Sequence, residues 1–132
     1  MDVVRLAAIP LFAEFEPEQL EALAAVVSEV EAEEGQAIAT EGDFGHALYA
    51  IESGTAEVSR NGEAVRTLGP GDVFGEVAVL QAGRRTATVV ASSPMRLIAV
   101  FKRDVWALER RSPEAGERLR QLVADRLAGQ VS

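Results

Sequence analysis

Glu76 and Arg85 stand nine positions apart in the segment LGPGDVFGEVAVLQAGRRTATVV, which runs from Leu68 to Val90. Gly75 precedes the glutamate. A compact apolar run follows it, Val77-Ala78-Val79-Leu80, too rich in small residues for a good exposed strand and suited to one or two helical turns. A short helix starting at Gly75 would aim several unpaired backbone N–H groups, and the positive end of its dipole, at the space before it. The missing Cβ of Gly75 would let an anion approach that backbone closely. Arg85, just before a run of strand type, adds a guanidinium able to hold two phosphate oxygens through paired hydrogen bonds. A carboxylate repels phosphate, so Glu76 fits an anion site if the same ligand also presents a hydroxyl donor. A ribose 2′-OH suits this acceptor-only group.

The remaining composition removes most other chemistry. The chain has 132 residues, 48% hydrophobic and 26% charged, the balance of an ordinary globular domain. Thirteen Lys and Arg against twenty-one Asp and Glu give a net charge of −8, which disfavours nucleic acid and anionic lipid as partners. With no cysteine, disulfides, thiolate catalysis, Cys-ligated zinc and thiolate-held iron–sulfur clusters are excluded. The single histidine, His46, defeats schemes that need two and reads as an exposed turn residue. No apolar run spans a bilayer, and the first residues lack a secretory-signal pattern, so a cytoplasmic location is expected.

The elements that must position Glu76 and Arg85 follow from periodicity. Glu18 to Val30 places Leu20, Leu23, Ala24, Val27 and Val30 at helical spacing behind Pro17. From Gln36 to about Phe101 the pattern changes to short strands at 36–39, 47–51, 55–59, 64–68, 86–91 and 96–101, separated by glycine-rich turns. Asn61-Gly62 between alternating runs predicts a tight hairpin. Such strands make a small β-roll. Two helices then follow: Arg103 to Arg110 with Val105 and Leu108 on one side, and Glu114 to about Leu127 with Leu119, Leu122, Val123 and Leu127 in line, opened by Ser112-Pro113. Trp106 reads as a packing residue.

One phosphate charge and one free ribose hydroxyl on the same side describe a 3′,5′-cyclic nucleotide. The chain accordingly resembles the cyclic nucleotide-binding domain family, shared by catabolite-activator-type regulators, cyclic-nucleotide-gated channels and regulatory subunits of cAMP-dependent kinase. Ile9-Pro10-Leu11-Phe12 with Pro17-Glu18-Gln19-Leu20 is similar to the family's helical opening. Glu41-Gly42-Asp43, Leu48-Tyr49-Ala50-Ile51 and Ser53-Gly54 look like its early strands and turn. Gly69-Pro70-Gly71-Asp72-Val73-Phe74-Gly75-Glu76 and Gly83-Arg84-Arg85-Thr86-Ala87-Thr88-Val89 match the start and end of its phosphate-binding cassette.

The resemblance implies a mainly β fold with flanking α: an eight-stranded β-roll of double-stranded β-helix or jelly-roll type, with N-terminal helices and two C-terminal helices. It implies one domain over 1–132, with a helical N-terminus at 1–34, the roll and cassette at 35–101, and C-terminal helices at 102–128. Backbone amides around Gly75, Glu76, Val77 and Ala78 would face the cyclic phosphate, Arg85 would pair with it, and Glu76 would take the 2′-OH. Thr86 would touch phosphate or base, Val58 and Val65 would line the pocket, and Arg126 would close over the ligand from the last helix. The implied role is regulatory, with cAMP favoured over cGMP as ligand, no cofactor or metal, and movement of the C-terminal helices on binding. An effector domain, a partner protein or a homodimer is compatible with it. The few residues after Leu127 leave no room for a helix-turn-helix, so direct DNA binding by this chain is not expected.

Each of these residues also has a plainer reading. Arg85 alone would be a solvated cation, Thr86 a β-branched strand residue, and Arg126 a helix-surface charge. Glu76 would serve as a helix cap or as an ion-pair partner of Arg126. Arg84 is expected to face solvent, since strand alternation sends neighbours to opposite faces. A cupin-like metalloenzyme on a similar roll needs several histidines, and only one is present. A fold relative with a lost ligand, acting as a protein-interaction module, is the alternative; joint retention of Glu76 and Arg85 argues against it.

Overall fold

The computed structural model describes residues 1–45, 47–76 and 84–130, with the backbone alone for 127–130. Three short helices open the chain: α1 (Val3–Ala7), α2 (Pro10–Ala13) and α3 (Pro17–Ala24). The Asp2 side chain accepts from the Val4 N–H at 2.7 Å to start α1. Proline occupies the first position of both α2 and α3, where its missing N–H costs nothing.

Eight strands follow among the described residues: β1 (Ser28–Ala32), β2 (Ala37–Ala39), β3 (Ala47–Ser53), β4 (Ala56–Arg60), β5 (Glu63–Leu68), β6 (Val73–Phe74), β7 (Thr88–Ala91) and β8 (Met95–Phe101). Two helices close the chain, α4 (Lys102–Arg111) and α5 (Pro113–Gln130). No described helix is long and apolar enough to cross a membrane.

The strands form two antiparallel four-stranded sheets, ordered β1-β8-β3-β6 and β2-β7-β4-β5. This is the jelly-roll arrangement, in which successive strands pass from one sheet to the other except at the β4–β5 hairpin, whose two strands share a sheet. Asn61 and Gly62 both take positive φ, +53° and +81°, and close the β4–β5 hairpin as expected. Sequence and structure part at the N-terminal boundary. The helix expected from Glu18 to Val30 stops at Ala24, and Ser28–Ala32 is β1, paired with β8 from Ser28 opposite Ala99 to Ala32 opposite Met95. The helical N-terminus therefore ends before residue 28, not at 34, and the roll begins earlier than 35. Val27 and Val30 fit a helical face, but their β-branched side chains suit a strand as well, and the edge of β8 supplies backbone partners for one.

Two apolar clusters hold these layers. Ile51, Val58, Leu68, Phe74, Val89, Met95 and Leu97 fill the space between the sheets. Leu48, Ala50, Ile98 and Val100, from β3 and β8, instead pack against Leu6, Phe12 and Leu23 from the first helices and Val105, Leu108, Leu119 and Val123 from the last two. Strand β8 is consequently covered on both faces, and Leu97 through Val100 are all buried. The expected inward faces of α4 and α5 are therefore correct; the side chain of Leu127 lies outside the described residues, as does His46. Trp106 is not a core residue: it is 57% exposed on α4.

Candidate functional site

The site forms where β6 ends and the chain enters β7. Phe74 is the last residue of β6, and its ring stacks on Tyr49 of β3 with centroids 5.2 Å apart. The chain then turns at Gly75, whose φ of +83° lies in the left-handed region. That value corrects one expectation: Phe74 is strand and Gly75 is not helical, so no helix begins at Gly75 itself. Whether the cassette continues as helix concerns Val77 and Ala78, which lie outside the described residues.

Arg85 lies against this turn. A Cβ added at Gly75 would collide with Arg85 Nη1 and would sit 2.6 Å from the Ala47 carbonyl oxygen. Only glycine leaves room for the guanidinium to cross the backbone there. Arg85 Nη2 donates to the Ala47 carbonyl at 2.9 Å, and the guanidinium carbon stands 5.9 Å from the Tyr49 ring centroid. Its backbone is anchored too: the Arg85 N–H donates to the Asp43 carbonyl at 2.6 Å, and the Gly42 N–H donates back to the Arg85 carbonyl at 3.0 Å. The arginine is thus positioned by the Glu41-Gly42-Asp43 turn and half withdrawn from water. Burial lowers its pKa, while nearby Tyr49 and Glu76 oppose that shift; a guanidinium keeps its charge through such a change.

Among the described residues, Arg85 has no carboxylate within ion-pair distance. It is a half-buried cation beside an opened backbone, a combination that favours an anion.

Glu76 is only 6% exposed. Arg126 of α5 reaches it, with Nε donating to Glu76 Oε2 at 2.8 Å and Nη2 donating to the Val73 carbonyl at 3.1 Å. The structure thus joins Gly75, Glu76, Arg85 and Arg126 around one turn, although they span 51 positions of sequence from Gly75 to Arg126.

The remaining expected site residues are placed less uniformly. Val58 is buried between the sheets in the same cluster as Phe74, against which Ala87 also packs, partly buried. Val65 is 52% exposed. Val58 lies opposite Arg66 and Ser59 opposite Ala64, which leaves Val65 as the extra residue of a β-bulge. The two valines therefore do not share one buried wall. Thr86 is exposed in the bend before β7, which starts at Thr88 rather than at Thr86, and its carbonyl accepts from Arg60 Nε at 3.2 Å.

Sequence reasoning missed two contributions. Arg84 faces solvent as expected and also holds the loop: its Nη1 donates to the Gly42 carbonyl at 2.7 Å and its guanidinium lies 4.7 Å from the Phe44 centroid. The Ala47 carbonyl and Tyr49 ring that flank Arg85 come from β3. The Glu41-Gly42-Asp43 turn was visible in the sequence; its pairing with 84–85, through a bridge between Phe44 and Arg84, was not.

Comparison with known proteins decides the family. The sequence model of the cyclic nucleotide-binding domain matches residues 29–112. The chain belongs to the cyclic nucleotide-binding domain family. This cyclic nucleotide-binding domain is 37% identical over 123 residues to the cyclic AMP receptor protein of Thermus thermophilus, covering 89% of the chain and 57% of that protein. It is 38% identical over 96 residues to a cAMP-dependent protein kinase regulatory subunit of Yarrowia lipolytica, covering 71% of the chain and 26% of that subunit. The chain therefore spans less than two thirds of the length of these relatives. Among solved structures, the N-terminal domain of a transcriptional regulator from Streptomyces coelicolor superposes with a TM-score of 0.81 at 32% identity, covering 98% of this chain and 95% of that one. The domain's class is thus regulatory, and its fold is the family's jelly roll with flanking helices.

Proposed function

We propose that this domain binds a 3′,5′-cyclic nucleotide, cAMP in preference to cGMP, and responds by moving its C-terminal helices without catalysing a reaction. The observation that carries the proposal is the half-buried Arg85 guanidinium lying across Gly75 with no carboxylate partner among the described residues. In this reading Arg85 grips the cyclic phosphate, and the backbone from Gly75 through Glu76, Val77 and Ala78 cradles it. Glu76 accepts from the ribose 2′-OH, Thr86 meets the phosphate or base, and the strands carrying Val58 and Val65 flank the nucleotide. Arg126 closes the site from α5, and no cofactor or metal takes part. The cAMP preference draws support from the relatives whose names carry that nucleotide.

The link between Arg126 and Glu76 gives binding a route to α5, and the shift it drives cannot exceed the ligand's differential affinity for the two arrangements. Isothermal titration with cAMP and cGMP tests the proposal. Saturable heat is expected, larger in affinity for cAMP, and Arg85→Ala should weaken binding about 30-fold or more, as expected for a charge-assisted contact left unmade. No heat and no thermal shift with either nucleotide at millimolar concentration would overturn it.

A further inference from the structure

The outward face of α4 lies apart from the residues gathered around Gly75 and carries an exposed aromatic among cations. Arg103, Trp106 and Arg110 fall at i, i+3 and i+7, one stripe of the helix, and all three are exposed. The opposite stripe is committed to the fold, since Asp104, Val105 and Leu108 are buried. Trp106 has no structural duty that accounts for its 57% exposure. Beside it, the Arg103 guanidinium is held 4.8 Å over the Phe101 ring, so part of its side-chain freedom is already restricted before any partner arrives.

The charge of this face runs against the rest of the molecule. Helix α4 contains Lys102, Arg103, Arg110 and Arg111, while the whole chain carries −8. Its two acids are engaged elsewhere: Asp104 accepts from the Phe101 N–H at 2.9 Å, and Glu109 pairs with Arg120 at 2.8 Å. Arg103 has only a 3.9 Å approach to Asp104, and Lys102, Arg110 and Arg111 have no carboxylate within 4.0 Å among the described residues. Arginines around one exposed tryptophan make the residue mixture that anchors protein interfaces. A long polyanion would meet the net repulsion of a chain that carries −8, whereas a short acidic segment needs to reach only the basic stripe.

We propose that the Arg103–Trp106–Arg110 face of α4 docks a short acidic peptide segment of a partner protein, with an apolar side chain of that segment resting on Trp106.

Trp106 is the only tryptophan of the chain, so its emission reports on this face directly. The probe is a fluorescein-labelled Glu-Glu-Leu repeat peptide titrated into the intact chain, with a Lys-Lys-Leu repeat and a single-stranded DNA oligonucleotide as comparison ligands. Saturable anisotropy and a change in Trp106 emission are expected with the glutamate peptide only. The double variant R103A/R110A, which lies on the exposed stripe and should melt with the parent, should lose about 10-fold or more in affinity. Absence of saturation at millimolar glutamate peptide, equal binding by the variant, or preference for DNA would overturn the proposal. So would a change of Trp106 emission with protein concentration alone, which would mean that a second copy covers the face.

Discussion

Arg126 Nε meets Glu76 Oε2 at 2.8 Å, so the last helix of the chain is tied to the carboxylate beside the Gly75 turn. The glutamate is buried and the arginine side chain is 32% exposed. Removing the cation strips a nearly buried carboxylate of a charged partner, which costs more than an exposed surface pair would contribute. Arg126→Ala should lower stability by about 1–3 kcal/mol, seen as a reduced Tm, and should weaken cAMP binding in calorimetry. A reduced Tm with unchanged affinity would make Arg126 a structural tie and remove it from the ligand site.

Gly75→Ala tests the close approach of Arg85. Alanine at φ +83° is strained by about 1–2 kcal/mol, and its Cβ meets both the guanidinium and the backbone carbonyl of Ala47. The side chain can swing aside; the carbonyl, part of β3, yields less readily. We expect about 2 kcal/mol or more of destabilisation in chemical denaturation and loss of nucleotide binding. A variant with parental stability and affinity would show that the passage of Arg85 over the turn is unimportant.

Arg85→Lys separates charge from geometry. Lysine keeps the cation but not the planar fork that serves the Ala47 carbonyl and, on the proposed reading, two phosphate oxygens. Affinity for cAMP should fall about 10-fold or more relative to the parent. Full rescue by lysine would mean that a point charge is sufficient.

Arg5 bonds Glu52 through Nε at 2.6 Å and Nη2 at 2.7 Å, joining α1 to the outer end of β3. The hydrogen bonds from Arg5 hold the Glu52 carboxyl below its ordinary 4.5, with burial opposing them. The folded state therefore binds the proton less readily than the unfolded chain. This contribution is fully present above about pH 4.5 and fades as the pH falls through the lowered folded value. Glu52→Gln should lower Tm near neutrality and flatten its decline below pH 4.5. The effect should be small and weakened by salt, because Arg5 is partly in water. Parallel pH profiles for parent and variant would rule out this pair as a contributor to the acid limb.

The alternating runs, glycine turns and Asn61-Gly62 hairpin made the β-roll legible, because strand periodicity and positive-φ turns are local properties. The inward faces of α4 and α5 were legible for the same reason. The segment 25–32 was not: valines at 26, 27 and 30 suit either element, and the choice fell to the exposed edge of β8. Trp106 was misjudged because hydrophobicity of a side chain does not say which side of a helix the fold will cover.

For the candidate site, residue types and spacing alone singled out Gly75, Glu76 and Arg85, since phosphate-binding chemistry restricts which groups can serve. Tertiary structure decided how they are held. It passes Arg85 across Gly75, pins it to the 42–43 turn and the Ala47 carbonyl, and brings Arg126 from fifty residues away onto Glu76. It also separates Val58 from Val65 by a bulge. These relations depend on register between strands and on where a helix docks, both set by long-range packing that no local stretch of sequence encodes.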